Sequence, residues 1–474
     1  MWRGLPSYAA GAAAALVLGA ATTARGQPKA EEGDKPRPAA WVASVSPQPG
    51  GLTADEVALR AVRVAPEVEG AKASADEARE AAARARTQFI PNLDLLASYT
   101  RLSDIDRPDL GVGPGASSGD LFPVILDNYL LRASLTMPVS DYFFTILPRY
   151  ESAAHMAAVA TLRAEAEREN IALQAKQALY QYIRAKASAA VALQSVTLIE
   201  QNVRDLEAGL RAGTIPRSDL TQARARLAEA RVESLRANGQ IDVTEMRLRR
   251  LLDLPIERPV VIGEAVATNP PPLPASQTVL LRTALAQRPE VRAMRKLVAA
   301  RTESVNAEQG AYLPSLSLSG RVDYANPNPR VFPQQAEFRS SWQATAAVSW
   351  SPTALFGTSH RVDEARARAA QARADLAALE DGTAIEATDA RVAFFVALES
   401  IGAARDGVES ALTAYHDRSA RLRVGEATIT QVLEAESSLR QAQLLLVDAY
   451  VALRIAQARL EHLVGRSVPR RTAE

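Results

Sequence analysis

The sequence predicts a mainly α-helical chain with a small β part. Three observations predict it: an internal duplication, a seven-residue apolar period kept over unusually long stretches, and four short alternating strands. Pro66-Glu67-Val68 recurs as Pro289-Glu290-Val291, and Pro91-Asn92-Leu93 recurs at the same offset as Pro314-Ser315-Leu316. Arg211-Ala212-Gly213 recurs as Arg423-Val424-Gly425 at a smaller offset, because the first half carries extra residues in a Gly/Pro/Ser-rich loop at 111–119. Loops tolerate such insertions at little cost. The expected organisation is a signal peptide at 1–26, an N-terminal linker at 27–52, a first repeat at 53–256, a proline-rich linker at 257–275, a second repeat at 276–466 and a tail at 467–474.

The opening residues read as a secretory signal. Arg3 supplies the positive end, residues 9–20 form an uncharged apolar run, and Ala24-Arg25-Gly26 makes a cleavage site before Gln27. About twelve apolar residues fall short of the ~20 that a spanning helix needs, and no later segment reaches that length without charges. The reading is an exported chain with no membrane-spanning helix.

Each repeat then runs in one order. A helix-forming stretch comes first, at 53–89 and 276–312, and a proline starts the strand pair. In the second half Leu316, Leu318, Gly320, Val322 and Tyr324 share one strand face, against Ser315, Ser317, Ser319, Arg321 and Asp323. The partner strand sets Trp342, Ala344, Ala346, Val348 and Trp350 against Gln343, Thr345 and Ser349. The first half repeats this with Leu93, Leu95, Ala97 and Tyr99, then Tyr129, Leu131, Ala133, Leu135 and Met137. Strands of about ten residues suit an outer membrane, with the apolar face toward lipid and the polar face toward water. Trp342, Trp350, Tyr99, Tyr129 and Tyr324 are the expected interfacial aromatic belt. A soluble sheet with one wet face would also alternate.

From Pro138 to Gly213 a continuous helix would span on the order of 110 Å. Its apolar residues fall in two heptad rows: Tyr182, Ala189, Val196, Val203 and Leu210, and Ala185, Ala192, Ile199 and Leu206. Phe394, Ile401, Val408, Tyr415 and Leu422 repeat the first row in the second half. A period of seven implies helices wound on one another. A shorter helix returns after each glycine-marked turn. Added end to end, it and the helix before the strands match the long one in length.

Four strands cannot close a membrane barrel, since the smallest known have eight, and an open edge in lipid leaves backbone groups unpaired. Strands in the membrane therefore imply several chains sharing one barrel. A helical tube of about 100 Å beneath it describes a conduit.

This duplicated order resembles the TolC family of outer-membrane efflux proteins over nearly all of the chain after the signal. The segments that carry the resemblance are Ala284-Leu285-Ala286-Gln287-Arg288-Pro289-Glu290-Val291 and Val424-Gly425-Glu426-Ala427-Thr428-Ile429-Thr430-Gln431-Val432-Leu433-Glu434-Ala435. The resemblance implies a homotrimer whose strands form one β-barrel above a tapering α-barrel. It places the protein in the outer membrane with an extension into the periplasm. Its implied partners are outer-membrane lipid, a periplasmic adaptor of the membrane-fusion type and an inner-membrane pump. It further implies adaptor docking at the turns holding Gly213 and Thr214, and Gly425 and Glu426; glycine there also suits a left-handed helix end. The family's acidic tip ring falls on Gln431 and Glu434, so one acid remains, and the aspartate of its polar lock falls on Asp219. The lock's arginine and tyrosine positions hold Ala427 and Leu422, a departure that favours a tip closed by packing.

Composition narrows the alternatives. With 55 basic and 54 acidic residues the chain offers no general attraction for nucleic acid. No cysteine is present, which excludes disulfides, thiolate metal sites and thiol nucleophiles. His155, His360, His416 and His462 lack metal-ligand spacing. Gly115-Ala116-Ser117-Ser118-Gly119 matches a nucleophile-elbow pattern but lies between two alternating strands, not between a strand and a helix. No catalytic site, metal site or cofactor is expected. The rival reading is a periplasmic coiled-coil scaffold or adaptor without membrane strands.

Overall fold

The structure, a computed structural model, describes residues 40–104, 125–257, 259–267 and 274–468. The expected signal, half of the linker at 27–52, the loop at 111–119 with its Gly-x-Ser-x-Gly pattern, Pro270 to Pro272 and most of the tail lie outside the described residues. After a lead-in turn, α1 (Ala40–Ser44), the first half runs α2 (Ala54–Val64), α3 (Pro66–Thr87), β1 (Asn92–Arg101), β2 (Asp127–Pro138), α4 (Leu147–Arg211) and α5 (Arg217–Leu252). The second half repeats the order as α6 (Gln277–Gln287), α7 (Pro289–Gly310), β3 (Ser315–Asn326), β4 (Arg339–Ser349), α8 (Ala354–Arg423) and α9 (Ile429–Leu463). A π-helical turn, Tyr142–Ile146, leads into α4. With 65 and 70 residues, α4 and α8 are each roughly 100 Å long.

The stretches at 53–89 and 276–312, each expected as one helix, are divided. Ala65 and Arg288 are extended (ψ 123° in both), directly before the prolines that open α3 and α7. A proline ring disfavours the helical conformation in the residue before it, while its fixed φ suits the first turn of a new helix.

The strands form one antiparallel sheet in the order β1-β2-β3-β4. Register places Leu95, Ala133, Val322 and Trp342 in one row, and Asp94, Ser134, Arg321 and Gln343 in the neighbouring row on the opposite face. The apolar face is the bare one: Leu95, Leu131, Val322, Trp342 and Val348 are all exposed. Asp323 on the polar face is buried. One edge of β1 and one of β4 are unpaired among the described residues.

The heptad rows form the helical core. Tyr182, Ala185, Ala189, Ala192, Val196, Ile199, Val203 and Leu206 of α4 are buried, as are Phe394, Ile401 and Tyr415 of α8. α3 and α5 pack along α4, and α7 and α9 pack along α8; α9 and α7 also meet α4 and so join the halves. No described helix is long and apolar enough to cross a membrane.

Midway along α4 the described parts of the two expected linkers pack as a collar. Leu52 and Ile262 form a parallel bridge, and the Leu52 amide donates to the Val261 carbonyl at 2.8 Å. Gly51 and Gly263 touch so closely that a Cβ on Gly263 would sit 2.2 Å from the Gly51 carbonyl oxygen. Tyr180 donates to Glu264 at 2.8 Å, and Tyr182 donates to the Val260 carbonyl at 3.2 Å. Lys176 is buried between Asp55 (2.9 Å) and Glu461 (2.7 Å). Burial works against its charge, but the two carboxylates prevail and its pKa is raised.

Candidate functional site

Both helical hairpins turn through the same hydrogen bonds. Gly213 (φ +75°) donates to the Leu210 carbonyl at 3.1 Å, and Thr214 to the Gly209 carbonyl at 3.0 Å. Gly425 (φ +80°) donates to Leu422 at 3.1 Å, and Glu426 to Arg421 at 2.9 Å. These are Schellman closures, and the left-handed residue in each is the glycine. The exits differ. α5 opens after Pro216 without a side-chain cap, whereas Thr428 and Gln431 form a capping box at the start of α9.

Behind the turns lies a four-helix apolar core. Ile199, Val203 and Leu206 of α4, Leu220 and Leu227 of α5, Tyr415 of α8, and Ile429, Val432 and Leu439 of α9 meet there. Polar links between the hairpins include Gln222 with Thr430 at 3.3 Å, Arg440 with Glu233 at 2.7 Å, Gln443 donating to Gln194 at 3.3 Å, and Ser195 donating to Glu436. Asp219 lies in the first turn of α5, accepts from the Ser218 hydroxyl at 3.1 Å and reaches no residue of the second hairpin. Gln431 is exposed, and its side-chain oxygen accepts from the Thr428 amide at 3.1 Å. Glu434 is exposed one turn along the same face, and its carboxylate has no partner among the described residues.

Glu436 is the tip residue that sequence reading missed. It is 1 % exposed, and Arg226 approaches one carboxylate oxygen only to 3.9 Å. Burial raises its pKa, opposed by the Ser195 hydrogen bond and by Arg226 and Arg440. The signal for it is present: Ile429, Glu436, Gln443 and Tyr450 are one heptad row of α9, so the spacing itself buries the acid.

At the other pole the aromatic residues gather on the bare sheet face. Tyr99 and Tyr129 have ring centroids 5.1 Å apart, and Phe338 lies 5.1 Å from Tyr324 and 5.9 Å from Tyr129, all toward the loop end. Trp342 is 74 % exposed on the same face. Trp350 follows the helix-side end of β4, its indole donating to the Tyr312 carbonyl at 3.3 Å. Phe143, Phe144 and Phe356 are also exposed where the helices begin and extend that end's aromatic set. They stand outside the alternating strands, which is why strand patterning does not find them. Among the described residues no group of His, Asp or Glu side chains is placed to hold a metal ion.

An outer membrane efflux protein family profile matches residues 60–253 and 280–466, one segment in each half. The chain belongs to the outer membrane efflux protein family. It is 24% identical over 363 residues to the outer membrane efflux protein BepC of Brucella suis biovar 1 (strain 1330), covering 73% of this chain and 77% of BepC. Its fold is that of solved outer-membrane channels. The outer membrane protein VceC of Vibrio cholerae superposes with a TM-score of 0.72 at 20% identity, covering 88% of this chain and 96% of VceC. The CmeC channel of Campylobacter jejuni gives 0.71 at 15% identity, covering 89% and 87%. The channel OprN gives 0.72 at 20% identity, covering 91% and 98%. The efflux protein is an outer-membrane exit duct that extends into the periplasm, not an enzyme, and family membership sets aside the coiled-coil scaffold.

Proposed function

We propose that three copies of this chain share one barrel and form the exit duct of a tripartite system, fed by a periplasmic adaptor and an inner-membrane pump. The open sheet carries this reading: two edges unpaired among the described residues and a bare apolar face leave each chain unfinished in lipid. The helices support it too. Val232, Leu235, Val243 and Met246 of α5 are exposed, and so are Ile385, Val392 and Val396 of α8. Two different apolar stripes on one subunit suit a head-to-tail contact that closes as a ring.

In the same reading the turns at Gly213 and Thr214, and at Gly425 and Glu426, receive adaptor hairpins. The tip closes mainly by packing, and three Glu434 carboxylates, flanked by Gln431 and by Asp219 of the first hairpin, set its affinity for cations. The test is single-channel recording on the detergent-extracted protein, with cross-linking. Discrete openings and a cross-linked trimer are expected, and Glu434→Ala relieves block by divalent cations added at the tip side. A protein that needs no detergent and never conducts ends the shared-barrel reading. Unchanged block in the variant ends the role of Glu434 alone.

A further inference from the structure

The polar sheet face carries an arrangement that a duct wall does not require. Asp323 accepts from Arg132 (Nε to Oδ1 2.7 Å, Nη2 to Oδ2 3.4 Å) and pairs with Arg321 Nε at 3.2 Å. Arg321 also donates to Gln343 Oε1 at 3.0 Å. The same oxygen accepts from Arg330, whose other nitrogen donates to the Trp342 carbonyl at 2.8 Å. Two guanidinium groups thus meet on one neutral acceptor, and two, one of them shared with that acceptor, hold one carboxylate. The other acids of this face are engaged: Asp94 accepts from Asn92 at 2.7 Å, and Glu337 pairs with Arg339 at 3.1 Å. Arg330 is held in place, because its amide donates to Asn328 Oδ1 at 3.0 Å and the Asn328 amide group donates to the Arg339 carbonyl at 2.9 Å. Like charges brought together without a second acid favour an anion between them, and rings of arginine are a recurrent wall for anion pores.

Resting on the shared-barrel reading, we infer that Arg321, Arg330 and Arg132 form an anion-binding site facing the lumen from the middle of the barrel toward its outer mouth, repeated in each chain. The apolar face of the same strands meets lipid, so the site takes solutes in the duct, of the phosphate or carboxylate class, and not lipid headgroups. Arg321 lies midway along β3 and Arg330 in the β3–β4 loop, which puts the site in the half of the sheet away from the helices, at the end opposite Glu434.

The test adds inorganic tripolyphosphate to one side of a planar bilayer at a time while single channels conduct. Block is expected from the barrel side, and the R321Q/R330Q double variant should need at least about tenfold more tripolyphosphate, the factor carried by one charge-assisted contact. Its reversal potential in a KCl gradient should also move toward that of potassium. R330Q alone alters only an exposed loop arginine and should show a part of both effects in a fully assembled channel. Equal block in wild type and both variants, or block from the tip side only, overturns the site and leaves the shared barrel standing. Absence of any conducting pore overturns the shared barrel, and the lumen site with it.

Discussion

At the tip, Ile429, Val432 and Leu439 of α9 are buried with apolar residues of α4, α5 and α8 within one chain; in the sheet, Leu95, Leu131, Val322 and Trp342 stay exposed among the described residues. Both regions come from regular apolar spacing, of period seven in one and two in the other. The difference is the medium each is built to meet. A heptad stripe is satisfied by another helix of the same chain, and the tip is a finished core. A strand face with exposed leucine, valine and tryptophan is finished only by lipid, and its unpaired edges only by other strands.

The largest break in that comparison comes from one residue of register. Ala133 lies in the middle of β2 on the bare face, between Leu95 and Val322, and Ser134 beside it lies on the polar face between Asp94 and Arg321. Ala133→Arg should cost about 2–4 kcal/mol per chain in the membrane and, repeated in each subunit, remove assembled protein from the outer membrane. Ser134→Arg should assemble. Outer-membrane fractionation and detergent-resistant oligomer on a gel read both. Equal tolerance of the two would reverse the assignment of the faces.

The next effect belongs to the tip. Leu439 is fully buried in the four-helix core behind the turns, so Leu439→Ala should cost about 2–5 kcal/mol locally. Amide exchange in α8 and α9 near the turns should rise while membrane insertion stays normal. Loss of insertion instead would mean that the two ends are not independent.

How far the sequence reveals this molecule depends on whether a feature has a period. The long helices, the strand faces and both glycine turns have one, and each is legible from residues such as Val196, Val322 and Gly425. The breaks at Ala65 and Arg288 are also written in the chain, since each precedes a proline, yet helical propensity on both sides hides them. The collar is different. Leu52 meets Ile262 across a separation no local pattern encodes, and composition alone reads both segments as linkers. At the site, motif position leads to Gln431 and Glu434 on the exposed face, while the buried acid lies two residues on. The arginine cluster escapes for the same reason as the collar: Arg132, Arg321 and Arg330 come together only through strand register and a loop.

The smallest effect is the one that acid should tune. Glu436 of α9 faces Ser195 of α4, Arg226 and Glu233 of α5, Tyr415 of α8 and Arg440 of its own helix, at the seam between the hairpins. Burial raises its folded pKa above the unfolded value, with Ser195 and the two arginines opposing. Packing therefore favours the protonated acid. The stability it lends is fully present below the ordinary carboxylate range and is lost as pH rises through the raised pKa. The seam should tighten on acidification from neutral pH, seen as slower amide exchange in α4 and α9 and as fewer channel openings. Glu436→Gln keeps a neutral side chain of the same shape, so it should hold the acid-like seam at neutral pH and flatten the pH response. A seam that loosens on acidification, or a Gln variant that still follows pH, would assign the response to another group. The sheet, whose buried acid Asp323 is paired with Arg132 and Arg321, gives the internal reference, because oligomer retention there should not change over the same range.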